Sequence, residues 1–342
     1  MDAISFLTSL KDVKCAHLFV SHLLLTTFEE FHLAFVLKYF LFIGLSLVGF
    51  SSFAQLTYQT VWVDYDSAWT YKNLKIIPIR PKNGNGNHLP SVMSLHQAME
   101  RGLATVSERG TASTENVHYL RINNTSDKSI YISSGELFSG GRQDRMMARD
   151  TILAPTGKDQ YVPVMCVEEG RWSEKEKKFA YSDFANPHLR KVLDVNKNQV
   201  LLWKEIGGQL DSGKVRNKSL SYLARNADKK LSQMNDEYFS YFKQKFKQAD
   251  SSILGFVAVS GDRVVGCDIF ADSELFYSQL EPLLKGYSDE AVFFGAPIRL
   301  ADKSLKEYMD KLLSDEKSQE KFVKENGKIF KQQGQVIHIN TF

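Results

Sequence analysis

The sequence predicts an α+β protein, with a mostly antiparallel, β-rich N-terminal half and a helix-rich C-terminal half. Two observations lead to this class. Six apolar, β-branched runs with short connections fall between residues 59 and 168, and short connections favour antiparallel neighbours. Beyond residue 172 the apolar residues recur instead at helical spacing, interrupted by a β-hairpin pattern at residues 253–270.

Alternation and turn residues place the elements of the N-terminal half. Pro78, within the second apolar run, points to an edge strand or a bulge. Residues 91–102 begin with serine and end at glycine, which predicts a short helix. The predicted strands cover residues 59–65, 74–80, 117–124, 129–133, 146–155 and 160–168.

Amphipathic stripes place the elements of the C-terminal half. Each predicted helix carries apolar side chains on one face and lysine, glutamine or acidic residues on the other. A short "SGD" turn joins two apolar strands into the hairpin, and Asp272 or Ser273 is the expected cap of the helix that follows. The predicted helices cover residues 198–210, 227–248 and 301–325 and one beginning at 273, and the predicted strands cover 253–259, 263–270 and 335–342.

The N-terminal segment predicts export. Lys38 precedes an apolar run, residues 39–50, that has the length of a signal-peptide core, and small residues follow it before Gln55. We therefore predict a signal peptide at residues 38–54, preceded by an extension, residues 1–37, that is not native to the protein. The alternative is a membrane anchor formed by apolar helices within residues 17–50.

The mature chain is predicted to be a single integrated domain, residues 55–342, β-rich over 55–172 and helix-rich over 173–342. Its expected location is periplasmic or extracellular, with no membrane partner after signal cleavage. Cys166 and Cys267 could pair in an oxidising compartment. Each also lies in an apolar strand-like run, which is typical of a buried free thiol.

Composition and motif content exclude several classes of function. The net charge of +3 is too small to favour nucleic acid as a partner. The sequence has no CxxC, HExxH, GxSxG, P-loop or EF-hand pattern. Its histidines share no metal-ligand spacing, so the sequence predicts neither a metal site nor a cofactor.

The segment GELFSGGRQDR, residues 135–145, is the predicted ligand-binding loop. Its adjacent glycines permit positive φ and close approach of a ligand, and successive turn amides can form an anion-binding nest. Its two arginines are planar forks suited to phosphate or carboxylate. The alternative is a structural ion-pair cluster at a tight hairpin. The candidate residues are Glu136, Gly140, Gly141, Arg142, Gln143, Asp144 and Arg145.

A second candidate segment, CVEEGRW, covers residues 166–172. If strands 129–133, 146–155 and 160–168 form a meander, this segment and the glycine-rich loop lie at the same end of the sheet. Glu168, Arg171 and Trp172 then line the same pocket, where Trp172 can stack on a base or a sugar ring. The candidate general base is Glu136 or Glu168. Alternatively, Trp172 is core packing and Arg171 pairs with Glu136.

The order of these motifs resembles that of a known domain family. GELFSGGRQDR, ILAP, VPVMCVEEGRW and ILGFVAVSGDRVVGCDIFADSELF together are similar to the ARG and Rhodanese-Phosphatase-superfamily-associated protein domain family, over about residues 70–295. The family's association with ADP-ribosylglycohydrolases and rhodanese-phosphatases implies a role near ADP-ribose or phosphorylated ligands. The resemblance implies no catalytic mechanism.

The sequence therefore predicts a protein that binds an anionic small ligand through the GGRQDR loop. If the protein is an enzyme, hydrolysis of that ligand is its predicted reaction. Nucleotides, ADP-ribose and sugar phosphates are the candidate ligands. The alternative is a non-enzymatic structural or protein-interaction domain in which these charges form a buried ion-pair staple.

Overall fold

The strands of the structure form three sheets. A computed structural model describes residues 55–82, 92–110, 117–171 and 178–342. The strands are β1 (Val61–Val63), β2 (Trp69–Tyr71), β3 (Leu74–Pro81), β4 (Val92–Ser94), β5 (Ala104–Glu108), β6 (Tyr119–Asn124), β7 (Ser129–Ile132), β8 (Glu136–Gly140), β9 (Arg145–Met147), β10 (Thr151–Leu153), β11 (Asp159–Cys166), β12 (Phe179–Phe184), β13 (Gly255–Ser260), β14 (Arg263–Phe270), β15 (Gly327–Gln332) and β16 (Gln335–Thr341).

Seven α-helices accompany these strands in the described part of the chain. They are α1 (Leu95–Glu100), α2 (Pro187–Lys191), α3 (Gln199–Ser212), α4 (Lys229–Gln248), α5 (Ser273–Phe294), α6 (Asp302–Leu313) and α7 (Glu316–Asn326). A π-helical turn, Val192–Asn196, follows α2. The predicted α+β class is confirmed.

The largest sheet joins the two halves of the chain. Its strand order is β1-β3-β13-β14-β16-β15, with β2 also paired to β3, and every pairing is antiparallel. Ile79 of β3 lies opposite Gly255 of β13, and Ile269 of β14 lies opposite Ile339 of β16. The N-terminal strands therefore complete a sheet whose other members come from the C-terminal half.

Both faces of this sheet are covered by helices. Successive side chains of a strand point to opposite faces. Phe256 accordingly packs in a cluster with residues of α4 and α5, whereas Val257 packs in a cluster with residues of α6 and α7. Near-continuous apolar strands such as β13 are explained by burial on both sides.

The other two sheets belong to the N-terminal half. One has the order β12-β8-β9-β11-β6-β5, and the other has the order β10-β7-β4, in which β4 and β7 are parallel. A third apolar cluster fills the space between these strands and α1, and a fourth packs α2 and α3 against β8 and β9.

Several predicted elements differ from the structure. The predicted strand at 146–155 is two strands, β9 and β10, because the chain turns at residues 148–150 and buries Asp150. The predicted helix at 91–102 begins as strand β4, and Ser94 caps α1. The predicted helix at 301–325 is two helices, because Asp315 caps the start of α7. Strand β15 was not predicted.

The described residues all lie within one compact unit that spans residues 53–342. Within them no helix is long and apolar enough to cross a membrane. The thiols of Cys166 and Cys267 are both free. The predicted extension, the predicted signal peptide and Trp172 lie outside the described residues.

Candidate functional site

The GELFSGGRQDR segment folds as a β-hairpin. Strands β8 and β9 pair antiparallel, with Leu137 opposite Met146, and the chain reverses between them. Gly140 and Gly141 have φ values of 111° and 52°, which only glycine adopts readily. A Cβ on Gly141 would lie 2.1 Å from the Phe179 ring. The space that these glycines leave is therefore filled by the protein itself.

The amides of the turn donate to carboxylate side chains of the chain itself. Gly140 N–H donates to Asp144 Oδ1 at 3.2 Å, and Arg142 N–H donates to Glu108 Oε1 at 3.0 Å. Asp144 N–H donates to Glu168 Oε2 at 3.1 Å. Three buried carboxylates thus occupy the donors that a bound anion would use.

Arg145 lies beneath this turn and is completely buried. Its Nη1 donates to Gln143 Oε1 at 3.1 Å and contacts Cys166 Sγ at 3.0 Å. Its Nη2 lies 4.0 Å from Glu108 Oε1. Its Nε and Nη2 have no hydrogen-bond partner among the described residues.

Arg171 joins the two segments that the sequence analysis singled out. Its Nε donates to Glu168 Oε2 at 2.8 Å, and its Nη2 donates to Asp144 Oδ1 at 3.0 Å. The two segments therefore meet at one end of the six-stranded sheet. The strands that bring them together pair in the order β8-β9-β11 and not as the predicted meander of residues 129–133, 146–155 and 160–168. Arg171 pairs with these two acids rather than with Glu136.

Glu136 does not share a site with Glu168. Glu136 begins β8, four residues before the turn, and therefore lies roughly 13 Å along the strand from the turn. Glu168 accepts its hydrogen bond at the turn. The carboxyl of Glu136 is fully buried and accepts a hydrogen bond from Ser133 N–H at 3.3 Å. Burial raises the pKa of Glu136 to about 8. The structure does not bring the two predicted acid/base residues together.

We expect Gly141→Ala to lower the free energy of unfolding by about 1–3 kcal/mol, because the new Cβ overpacks against Phe179 at a positive φ. Gly157→Ala is the matched control. Its φ is also positive, at 62°, but nothing lies within 4 Å of its Cβ position. Urea denaturation of both variants measures the difference, and equal costs would contradict the packing argument.

A second polar cluster lies on the face of the large sheet that carries Phe256, which we call the inner face. It was not predicted as a site. Its charges alternate along one hydrogen-bonded chain from the core to the surface. We call it the charge chain. Its members are Arg190, Asp268, His338, Asp150, Lys328 and Asp194.

The inner end of the charge chain is a bidentate pair. Arg190 of α2 donates to both carboxylate oxygens of Asp268, at 2.9 and 2.6 Å, and Tyr287 O–H donates to Oδ2 at 2.7 Å. Arg190 and Asp268 are completely buried. Burial alone would raise the pKa of Asp268, but the charge and hydrogen bonds of Arg190 outweigh it and hold that pKa well below its usual range.

His338 is the middle of the charge chain and links two carboxylates. Its Nε2 lies 2.9 Å from Asp268 Oδ1, and its Nδ1 lies 2.8 Å from Asp150 Oδ2. The ring stacks on Phe270 with centroids 4.2 Å apart. Burial lowers the pKa of His338, but Asp150 and Asp268 outweigh that effect and raise it. Both ring nitrogens therefore face carboxylates, an arrangement that favours the doubly protonated ring.

Lys328 is the outer end of the charge chain. Its Nζ lies 2.5 Å from Asp150 Oδ1 and 3.7 Å from Asp194 Oδ1, and it also contacts Ser134 Oγ. Burial alone would raise the pKa of Asp150, but Lys328 and His338 hold it well below its usual range. The π-helical turn presents Asp194, which is fixed by Asn340 at 2.9 Å. Such turns occur frequently at functional sites.

A cavity of about 470 Å³ opens above Lys328. We call it the Lys328 pocket. Arg149 and Lys197 lie at its exposed rim, and neither forms an ion pair with any residue that the structure describes. Lys331 pairs with Glu316 and Glu320. The lining residues are Ala148, Arg149, Asp150, Thr151, Ile152, Asp194, Lys197, Lys328, Ile329, Phe330, Lys331 and Gln332.

The pocket carries an excess of positive charge. Arg190, Lys328 and the ring of His338 each contact carboxylates of the charge chain, so its charges are paired with one another. Arg149 and Lys197 at the rim have no acidic partner among the residues that the structure describes. A concave site with uncompensated cations attracts anions.

A model of the ARG and Rhodanese-Phosphatase-superfamily-associated Protein domain matches residues 62–341. The chain belongs to this family. The resemblance expected from the motifs is confirmed and extends beyond residues 70–295. No curated protein and no solved structure matches the chain.

The ARG and Rhodanese-Phosphatase-superfamily-associated domain contains both polar clusters, since every described residue of the hairpin, the charge chain and the Lys328 pocket lies within the match. The sequence carried one signal of the charge chain. Asp268 and His338 interrupt otherwise apolar strands, and a charged residue buried in such a strand must be paired. Within the described residues no cluster of His, Cys, Asp and Glu side chains is arranged to hold a metal ion.

Proposed function

We propose that this protein binds an anionic small ligand in the Lys328 pocket, through phosphate or carboxylate groups of that ligand. The observation that carries the proposal is the uncompensated charge of Arg149 and Lys197 at the rim of a cavity whose floor holds Lys328. An anion bound there exchanges its water for the donors of Arg149 and Lys197, since the ammonium group of Lys328 already contacts Asp150, Asp194 and Ser134. Charge-assisted hydrogen bonds of this kind are about twice as strong as neutral ones.

The dimensions of the pocket support a ligand of nucleotide size. Its volume of about 470 Å³ falls in the range of small-molecule sites, about 300–1,000 Å³. Ile152 and Phe330 supply an apolar wall beside the charges. Nucleotides, ADP-ribose and sugar phosphates therefore remain the candidate ligands, and the predicted export of the chain would place this binding outside the cytoplasm.

The Lys328 pocket is a better ligand site than the GGRQDR hairpin. The amides of the hairpin turn donate to Glu108, Asp144 and Glu168, and Arg145 is completely buried. A ligand would have to displace carboxylates of the chain itself. The geometry of the hairpin supports the alternative role, a buried ion-pair staple.

Calorimetric titration of the purified protein with inorganic phosphate, sugar phosphates, nucleotides and ADP-ribose tests the proposal. We expect Arg149→Ala and Lys197→Ala each to weaken binding of the preferred anion about tenfold, because each removes one charge-assisted contact. The matched control is Lys303→Ala, which removes a lysine whose side chain is 88% exposed on α6.

Other results of this titration would place the ligand elsewhere or refute the proposal. Binding that survives both rim variants but is lost in Arg171→Ala would place the ligand at the hairpin. Binding that the Lys303→Ala control weakens equally would show only nonspecific attraction to surface charge. Absence of binding by every anion in the panel would refute the proposal.

A further inference from the structure

Two open strand edges form the walls of the Lys328 pocket. Among the described strands, β15 is the outermost member of the large sheet and pairs only with β16, and β10 is the outermost member of the three-stranded sheet and pairs only with β7. Residues 328–332 line one wall and residues 148–152 line the other. The pocket is therefore a groove between two sheet edges.

The register of β15 shows which main-chain groups face this groove. Phe342 N–H donates to Asn326 O at 2.8 Å, and Lys328 lies opposite Asn340. Hydrogen-bonded and non-bonded pairs alternate in an antiparallel ladder, so Ile329 occupies a non-bonded position. Its N–H and C=O point away from β16, toward the open edge.

The side chain of Ile329 agrees with this register. It packs against the apolar cluster on the opposite face of the sheet, with the residues of α6 and α7. Ile329 nevertheless lines the pocket. The part of Ile329 that meets the pocket is therefore its main chain, which offers one donor and one acceptor to a neighbouring strand.

The charges around the groove select the partner. Lys328 lies at the floor, and Arg149 and Lys197 lie at the rim. A guest strand would direct every second side chain toward these cations. Acidic side chains at alternate positions match them, with apolar side chains against Ile152 and Phe330.

We propose that the Lys328 pocket binds an extended acidic peptide segment of a partner protein, which adds to the outer edge of β15 as a further strand. This inference rests on the proposed anion-binding function and names the ligand class. Main-chain hydrogen bonds to Ile329 supply affinity, and the rim cations Arg149 and Lys197 supply selectivity for acidic side chains.

Lysines on an edge strand have an ordinary role, because they prevent edge-to-edge aggregation. That role explains Lys331, which faces Glu316 and Glu320. An inward-pointing charge such as Lys328, whose ammonium group is turned onto Asp150, protects an edge in the same way, but neither lysine explains a groove between two edges.

Fluorescence anisotropy of the full-length protein with a labelled peptide that alternates valine and glutamate tests strand addition. The matched probe is the same peptide with alternate backbone amides methylated, which keeps the charge and removes main-chain donors. We expect the methylated peptide to bind at least about tenfold more weakly. A peptide that alternates valine and lysine should not bind.

A pair of variants at one position tests the same edge from the protein side. Ile329→Pro removes the outward N–H without removing a ladder bond, since proline is tolerated where the N–H faces away from the sheet. Ile329→Ala shortens the side chain and keeps the N–H. We expect about tenfold weaker peptide binding for the proline variant than for the alanine variant. If the proline variant does not fold, the two peptides decide the question.

The outcomes separate this inference from the proposed function. Equal affinity for the two acidic peptides, with displacement by inorganic phosphate, would retain the anion site and overturn strand addition. Binding of small anions without binding of either peptide would also overturn it. Failure of both peptides and all anions would overturn the two proposals together.

Discussion

Replacement of Asp268 by alanine is expected to lower the free energy of unfolding by about 3–5 kcal/mol, the usual cost of removing one partner of a buried ion pair. The variant leaves the Arg190 guanidinium without the carboxylate that it contacts twice. It also removes one of the two acids that flank His338. Chemical denaturation of the variant and the wild type at neutral pH measures the loss, provided that the unfolding free energy of both proteins depends equally on denaturant concentration.

The control for this experiment is Glu281→Ala. Glu281 pairs with Lys243 at 2.7 Å, and both side chains are about half exposed, so the expected cost is below about 1 kcal/mol. The double variant Arg190→Met with Asp268→Ala should cost less than the sum of the single variants, because no unpaired buried charge remains. A cost for Asp268→Ala no larger than that of Glu281→Ala would contradict a buried pair.

Replacement of Glu136 by glutamine is expected to make the protein more stable than the wild type, by a difference that is absent below about pH 4.5, grows as the pH rises and is complete above about pH 8. Burial raises the pKa of Glu136 from 4.5 to about 8. Glutamine resembles the neutral acid at every pH. Since one pKa unit corresponds to about 1.4 kcal/mol, the difference should approach at most about 5 kcal/mol.

The sign follows from proton binding. Between the unfolded and folded pKa values, folded Glu136 holds a proton that the unfolded chain has released, so its contribution to wild-type stability falls as the pH rises. Asp150 and Asp268 act in the opposite direction, since their lowered pKa values remove stability as the pH falls. Those effects are common to both proteins and cancel in the difference. Urea denaturation at several pH values measures it, and a difference that does not vary with pH would disprove a buried neutral Glu136.

Much of the fold could be predicted because its patterns are local. Strands β13 and β14 join at a short turn, and the stripes of α3 and α4 follow helical spacing, so neighbouring residues alone specify them. Strand β15 is different. Its residues are mostly polar and follow the end of α7 directly, and only its pairing with β16 identifies it as a strand.

The candidate site could not be predicted in the same way, because its residues come from distant parts of the chain. Arg190, Asp268 and His338 belong to a helix and two strands, and sequence spacing contains nothing about their contact. The GGRQDR segment attracted attention because its charges are consecutive. The same proximity lets the chain's own acids occupy the turn amides, which favours a structural role over binding.

The position of β16 in the large sheet imposes an order on assembly. This strand lies between β14 and β15 and carries His338 and Asn340, yet it follows both of them in the chain. During synthesis Asp150 and Asp194 therefore leave the ribosome before Lys328, His338 and Asn340, which neutralise or orient them, whereas Asp268 follows its partner Arg190. The inner face of the sheet cannot close over these carboxylates until β16 arrives, so this part of the protein should fold late. Long-range pairings of this kind fold slowly, so the pairing of β14 with β16 should be among the last steps of folding.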